Sequence, residues 1–128
     1  MGHFQLFRDD HNTVDIVAGN LIFREGDVGT FMYIIQSGEV DILLQDQVFD
    51  SLDEGEALGE MALINPGAPR SASAIAKTDC RLVKIDQRRF TFLVQETPYF
   101  AIEIMRTLAE RLARMNVRAE NEENAKFS

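Results

Sequence analysis

Residues 14–85 form a series of short apolar runs cut at close intervals by turn residues, and no other feature limits the fold so strongly. Val14-Asp15-Ile16-Val17 and Leu21-Ile22-Phe23 flank Ala18-Gly19-Asn20. Phe31 to Gln36 and Glu39 to Leu44 flank Ser37-Gly38, which reads as a hairpin turn, and Val40-Asp41-Ile42 alternates. Val48 to Leu52 leads into the turn Asp53-Glu54-Gly55-Glu56. Ser71 to Ala76 and Arg81 to Ile85 flank Lys77-Thr78-Asp79. Runs this short, punctuated this often, predict an all-β barrel or sandwich.

After Asp86 the period changes. Asp86 is an N-cap candidate for a helix over Gln87 to Gln95, with Phe90, Leu93 and Val94 on one side. Thr97-Pro98 opens a second helix, predicted to run to about Arg118. Met105, Leu108, Leu112, Met115 and Ala119 recur at 3-4-3-4 spacing along it, a heptad-like seam. Residues 1–118 therefore read as one domain, and 119–128 as a polar, acidic and frayed tail.

The chain has 128 residues and a net charge of −8, from 13 basic and 21 acidic residues. Such a field disfavours nucleic acid, which binds by having many phosphates neutralised. No apolar run is long enough for a membrane span, and the N-terminus has no secretory pattern. The lone cysteine, Cys80, cannot pair internally and reads as an inert buried thiol, so a cytoplasmic location is expected. The two histidines, His3 and His11, precede the barrel, whereas a barrel metalloenzyme needs histidines on its strands. A nucleophile elbow, a Cys/His pair and a Walker loop are also missing. The expectation is a binding module without catalytic residues, metal or cofactor.

The chemistry concentrates between Gly59 and Ala74. Gly59 suits a tight bend into a short helix, and Asn65-Pro66-Gly67 stops that helix after about two turns. Its first N–H groups lack intrahelical partners and suit an anion. Glu60 offers a carboxylate to a hydroxyl, and Arg70 with Ser71 can fork onto a phosphate. Ser73, two residues on, shares the face of Ser71 if both lie in one strand. Phosphate donors beside a hydroxyl acceptor suggest a ligand that carries both phosphate and sugar.

Gly59-Glu60, Met61-Ala62-Leu63 and Pro69-Arg70-Ser71-Ala72-Ser73 resemble the phosphate-binding cassette of the cyclic nucleotide-binding domain family, the type found in catabolite activator proteins and protein kinase A regulatory subunits. Phe23-Arg24-Glu25-Gly26-Asp27, Met32 to Val40, and Leu108-Ala109-Glu110-Arg111-Leu112 resemble its early strands and last helix, so the likeness spans residues 14–118. It implies a mainly β fold: an antiparallel jelly-roll β-barrel with a short N-terminal helix near Gln5 to Asn12, a cassette helix and two C-terminal helices.

For function, the resemblance implies a sensor of cAMP, with cGMP second because Ser71 stands where threonine often accompanies cGMP. Gly59, Met61, Ala62, Arg70, Ser71 and Ser73 would hold the phosphate, and Glu60 the ribose hydroxyl. Ile42, Phe49 and Met61 would line the base slot, and Met115 and Asn116 would close over it. Signalling would run through the C-terminal helices. Ten residues follow Arg118, so no DNA-binding output is expected, and action through a protein partner or a missing effector domain follows. Self-association should give a monomer or weak homodimer. The alternatives are an interaction domain of the same fold that has lost its ligand, or a sensor of another phosphorylated nucleotide such as a cyclic dinucleotide.

Overall fold

The computed structural model describes the backbone of residues 4–127 and the side chains of residues 4, 6–117 and 121. Eight strands form two antiparallel four-stranded sheets, the jelly-roll arrangement expected. One sheet has the order β1 (Thr13–Ile16), β8 (Cys80–Asp86), β3 (Phe31–Ser37), β6 (Ala57–Leu58). The other has β2 (Leu21–Phe23), β7 (Ser73–Ala76), β4 (Val40–Leu44), β5 (Gln47–Leu52). The helices are α1 (Met61–Ile64), α2 (Gln87–Glu96) and α3 (Pro98–Phe127).

The first sheet is apolar on both faces because it is covered on both. Met32 and Ile34 of β3 and Val83 and Ile85 of β8 pack with Phe4, Phe7, Leu93, Phe100 and Ile104 from the N-terminal segment and the helices. On its other side Ile35, Leu82 and Cys80 meet Val40, Leu52, Ala74 and Ala76 of the second sheet. Burial raises the Cys80 thiol pKa, which keeps it protonated and inert.

Ser37-Gly38 does not make a hairpin: β3 and β4 lie in different sheets. The chain changes sheet here, and again between β7 and β8. The two corners interlock, with Lys77 N donating to Glu39 O at 2.9 Å and Glu39 N to Thr78 Oγ1 at 3.0 Å. Gly38 has φ +96, and a Cβ on it would lie 2.4 Å from Asp79 O, so backbone fills the space a side chain needs. The hairpin is β4–β5, turned by Gln45 and Asp46 at φ 52 and 66. Two positive φ values suit the twist of the strands, but Gln-Asp carries none of the usual Asn-Gly signal.

The N-terminal helix is one 3-10 turn, Gln5–Phe7. His3 lies outside the described residues. Asp10 is held by both terminal nitrogens of Arg89 on α2. That hydrogen bond is the main reason the Asp10 carboxyl sits below its usual 3.8, partly opposed by burial. A lowered carboxylate pKa adds stability above the unfolded-state value, and the gain is lost as pH falls through the folded-state value. Asp10→Asn should therefore be less stable than wild type at neutral pH, and the gap should close as pH drops below 3.8 in denaturant titrations. A gap of constant size would assign the effect to shape rather than to the ion pair.

Asp86 caps α2, accepting from Arg89 N at 2.8 Å. Helix α3 runs to Phe127, past the expected end near Arg118, because residues 119–127 contain no glycine or proline and are rich in Ala and Glu.

Candidate functional site

Helix α1 is a single turn, shorter than the two expected. Pro66 disfavours helical backbone at the residue before it, and Asn65 leaves the helix at φ −127, ψ 73. Gly59 makes the bend into α1 with φ +75. Beside it the chain 26–28 runs along 69–70: Arg70 N donates to Asp27 O at 2.7 Å and Gly26 N to Arg70 O at 2.8 Å. This pairing fixes the backbone from which Arg70 reaches inward.

Arg70 is buried at 9% exposure. Its Nη1 donates to Gly59 O at 2.9 Å and its Nη2 to Phe31 O at 2.7 Å. The guanidinium stacks on Phe23, 4.1 Å from the ring centroid. Burial lowers its pKa, with Tyr33 and Glu60 pulling it partly back. Two glycines make room for it. A Cβ on Gly29 would lie 2.3 Å from Arg70 Nη2, and one on Gly59 2.7 Å from Nη1. Gly29 carries no sequence signal for this role, which depends on a contact across 41 residues.

Glu60 is 3% exposed. Its Oε1 accepts from Arg111 Nη1 on α3, and Arg111 Nη2 also donates to Ala57 O. Arg111 thus ties α3 to the β6–α1 turn. It lies within the stretch that resembles the family's last helix, where the apolar seam alone gives Arg111 no role. Its spacing of three from Leu108 was the available signal.

These groups border one cavity of about 960 Å³, at the upper end of ordinary ligand sites. It brings together Gly59, Glu60, Met61, Ala62, Arg70 and Ser71 with Ile42 and Phe49 of the second sheet. Leu108, Leu112 and Met115 of α3 line the opposite side, the last two still exposed at 59% and 48%, while Met105 of the same seam lies outside the lining at 64% exposure. The side chain of Ala119 lies outside the described residues.

Two candidates fall elsewhere. Ser73 does not line the cavity, and its Oγ accepts from Glu25 N at 2.9 Å. Ser71 lies in a bend before β7, so the two-residue alternation that put both serines on one face does not apply. Asn116 is exposed on α3 outside the lining, whereas Asn121 borders the cavity.

Two buried polar atoms at this site have no hydrogen-bond partner among the described residues: the donor Arg70 Nε and the acceptor Glu60 Oε2. Buried groups are rarely left so, and both residues line the cavity.

Residues 13–97 match the family model of the cyclic nucleotide-binding domain. The chain is 32% identical over 108 residues to a CRP-like cAMP-activated global transcriptional regulator of Mycobacterium tuberculosis, covering 80% of this chain and 48% of that protein. Its fold is similar to catabolite activator protein of Thermus thermophilus, with a TM-score of 0.77, 29% identity and coverage of 93% and 58%. A structure from work on a cyclic-GMP-dependent signalling pathway in bacterial phytopathogenesis is also similar, at 32% identity, TM-score 0.66 and coverage of 94% and 95%. The chain spans less than half the length of the curated regulator just named, and 33% and 16% of two other curated relatives it matches. With a family model matched across the strands, the cassette and α2, and a cavity built from that cassette, the chain belongs to the cyclic nucleotide-binding domain family.

Proposed function

We propose that this chain is a regulatory module that binds a 3′,5′-cyclic nucleotide, cAMP ahead of cGMP, and signals through α3. The observation that carries this reading is the pair of orphan atoms. Arg70 Nε is a buried donor and Glu60 Oε2 a buried acceptor, and both residues border the same cavity. A phosphate oxygen satisfies the first and a ribose hydroxyl the second, and cyclic nucleotides carry both. An interaction domain that had lost its ligand would keep neither cost. Ser71 and the likeness to a cAMP-activated regulator support the order cAMP before cGMP, and the likeness to a structure from a cyclic-GMP-dependent pathway keeps cGMP second.

In this reading the phosphate sits between Arg70, Ser71 and the backbone of 59–62, and the base occupies the apolar slot of Ile42, Phe49 and Met61. Glu60 then accepts from the ribose on one oxygen and from Arg111 on the other. A ligand that changes Glu60 biases where α3 sits, a population shift between arrangements of that helix. The cavity offers no histidine, cysteine or lysine among its described lining residues, and Glu60 and Asp50 are both held by guanidinium groups. That supports sensing rather than catalysis. A net charge of −8 argues against nucleic acid as partner. No helix is long and apolar enough to cross a membrane among the described residues. Action in the cytoplasm, as a monomer or weak dimer, completes the reading.

Calorimetric titration with cAMP, cGMP and a cyclic dinucleotide tests it, with 2′-deoxy-cAMP as the comparison ligand. We expect both mononucleotides to bind and 2′-deoxy-cAMP to bind about tenfold more weakly or worse, since a hydrogen bond to a charged group is lost. Equal affinity for cAMP and its 2′-deoxy form would remove the role given to Glu60. Binding of the dinucleotide alone would replace the ligand.

A further inference from the structure

Asp50 and Arg114 form a second charged pair in the cavity wall, with no part in holding a phosphate or a ribose. In a regular strand the neighbours Phe49 and Asp50 would face opposite ways. Here the ladder is irregular: Ile42 pairs with Asp50 but Leu43 pairs with Val48, so Phe49 is the extra residue of a bulge. The bulge turns both side chains to the cavity. Arg114 follows Arg111 by three residues on α3, and its Nη2 lies 3.2 Å from Asp50 Oδ2. The Asp50 side chain is 21% exposed, so its carboxylate stands at the rim of the slot.

We propose that Asp50, oriented by Arg114, reads the base and selects purines that carry an exocyclic amino group. This rests on the cyclic-nucleotide reading and adds to it the residues that choose the base. Away from the cassette and Arg111, the cavity wall is apolar apart from Asp50, Arg114 and Asn121. A base entering it gives up water along its polar edge, which is costly unless that edge is met. Adenine presents an amino donor beside a ring-nitrogen acceptor. Guanine presents amino and N1–H donors beside a carbonyl acceptor. The carboxylate and guanidinium offer an acceptor beside a charged donor, the complement of either edge. The carboxylate already accepts from Ser51 N on Oδ1 and faces Arg114 on Oδ2, and a purine without the amino group adds no donor to its remaining lone pairs.

The test compares cAMP with the 3′,5′-cyclic phosphate of unsubstituted purine riboside, which differs by the amino group alone, on wild type and Asp50→Ala. Wild type should bind the unsubstituted analogue at least about tenfold more weakly than cAMP. Asp50→Ala should weaken cAMP by about the same factor and leave the analogue within about twofold, which also shows that the variant is folded. Equal binding of the two ligands by wild type, or equal loss of both in the variant, overturns the role of Asp50 while the cyclic-nucleotide reading stands. Failure of wild type to bind either ligand overturns that reading, and this inference with it.

Discussion

Replacing Arg70 with alanine should weaken cyclic-nucleotide binding at least about thirtyfold, because a desolvated phosphate loses its charged partner at a cost of roughly 2–5 kcal/mol. The fold should suffer as well. The guanidinium bonds carbonyls on both sides of the site, Gly59 O and Phe31 O, and its removal leaves both short of a donor. It also empties the space that Gly29 and Gly59 keep open and uncovers the face of Phe23. Arg70→Lys should be almost as damaging for affinity, since a single ammonium nitrogen cannot span two carbonyls set for separate guanidinium nitrogens and still meet a phosphate. Titration calorimetry with parallel thermal unfolding separates the two effects. Retained affinity in a destabilised Arg70→Ala protein would make Arg70 a structural strut only, with the phosphate held elsewhere.

The second large effect is expected at Arg111. Truncation to alanine leaves buried Glu60 without its hydrogen-bonded cation and Ala57 O without its donor. Removing one partner of a buried pair is far worse than replacing both, and here, with the Arg111 side chain 22% exposed, the loss should be about 2–3 kcal/mol. Adding Glu60→Gln to Arg111→Ala should recover part of it, since the uncompensated charge goes too. Denaturant unfolding measures both. Amide exchange should speed up in α3 beyond Ile104, where α3 adds only the partly buried Leu108 to the core around the first sheet. Unchanged exchange there, with full stability, would mean that α3 is held by its apolar contacts alone.

The strands and the cap of α2 were legible because they are local: apolar runs between turn residues, and Asp86 three residues before the N–H it binds. The sheet to which each strand belongs was not. Ser37-Gly38 has the chemistry of a hairpin turn, yet it makes a corner between sheets, and what decides this is contact with residues 77–80. The single 3-10 turn at Gln5–Phe7 likewise follows from context that propensity does not contain, whereas the continuation of α3 beyond residue 118 is legible in a stretch without glycine or proline. At the site, Arg70 and Glu60 were legible as types at a spacing. Their orphan atoms and the room made by Gly29 exist only in three dimensions. Alternation does not hold across the bend before Ser73, and a bulge reverses the side that Asp50 faces, so neither position can be read from strand periodicity.

Beyond Leu108, two guanidinium groups tie α3 to the barrel, Arg111 on Glu60 and Arg114 on Asp50, and the second of these is half open to water. Mobile ions weaken such attachments and leave buried apolar contacts almost untouched. The resting position of the helix is therefore set partly by the medium. Rising ionic strength should loosen the outer, exposed tether before the inner, buried one.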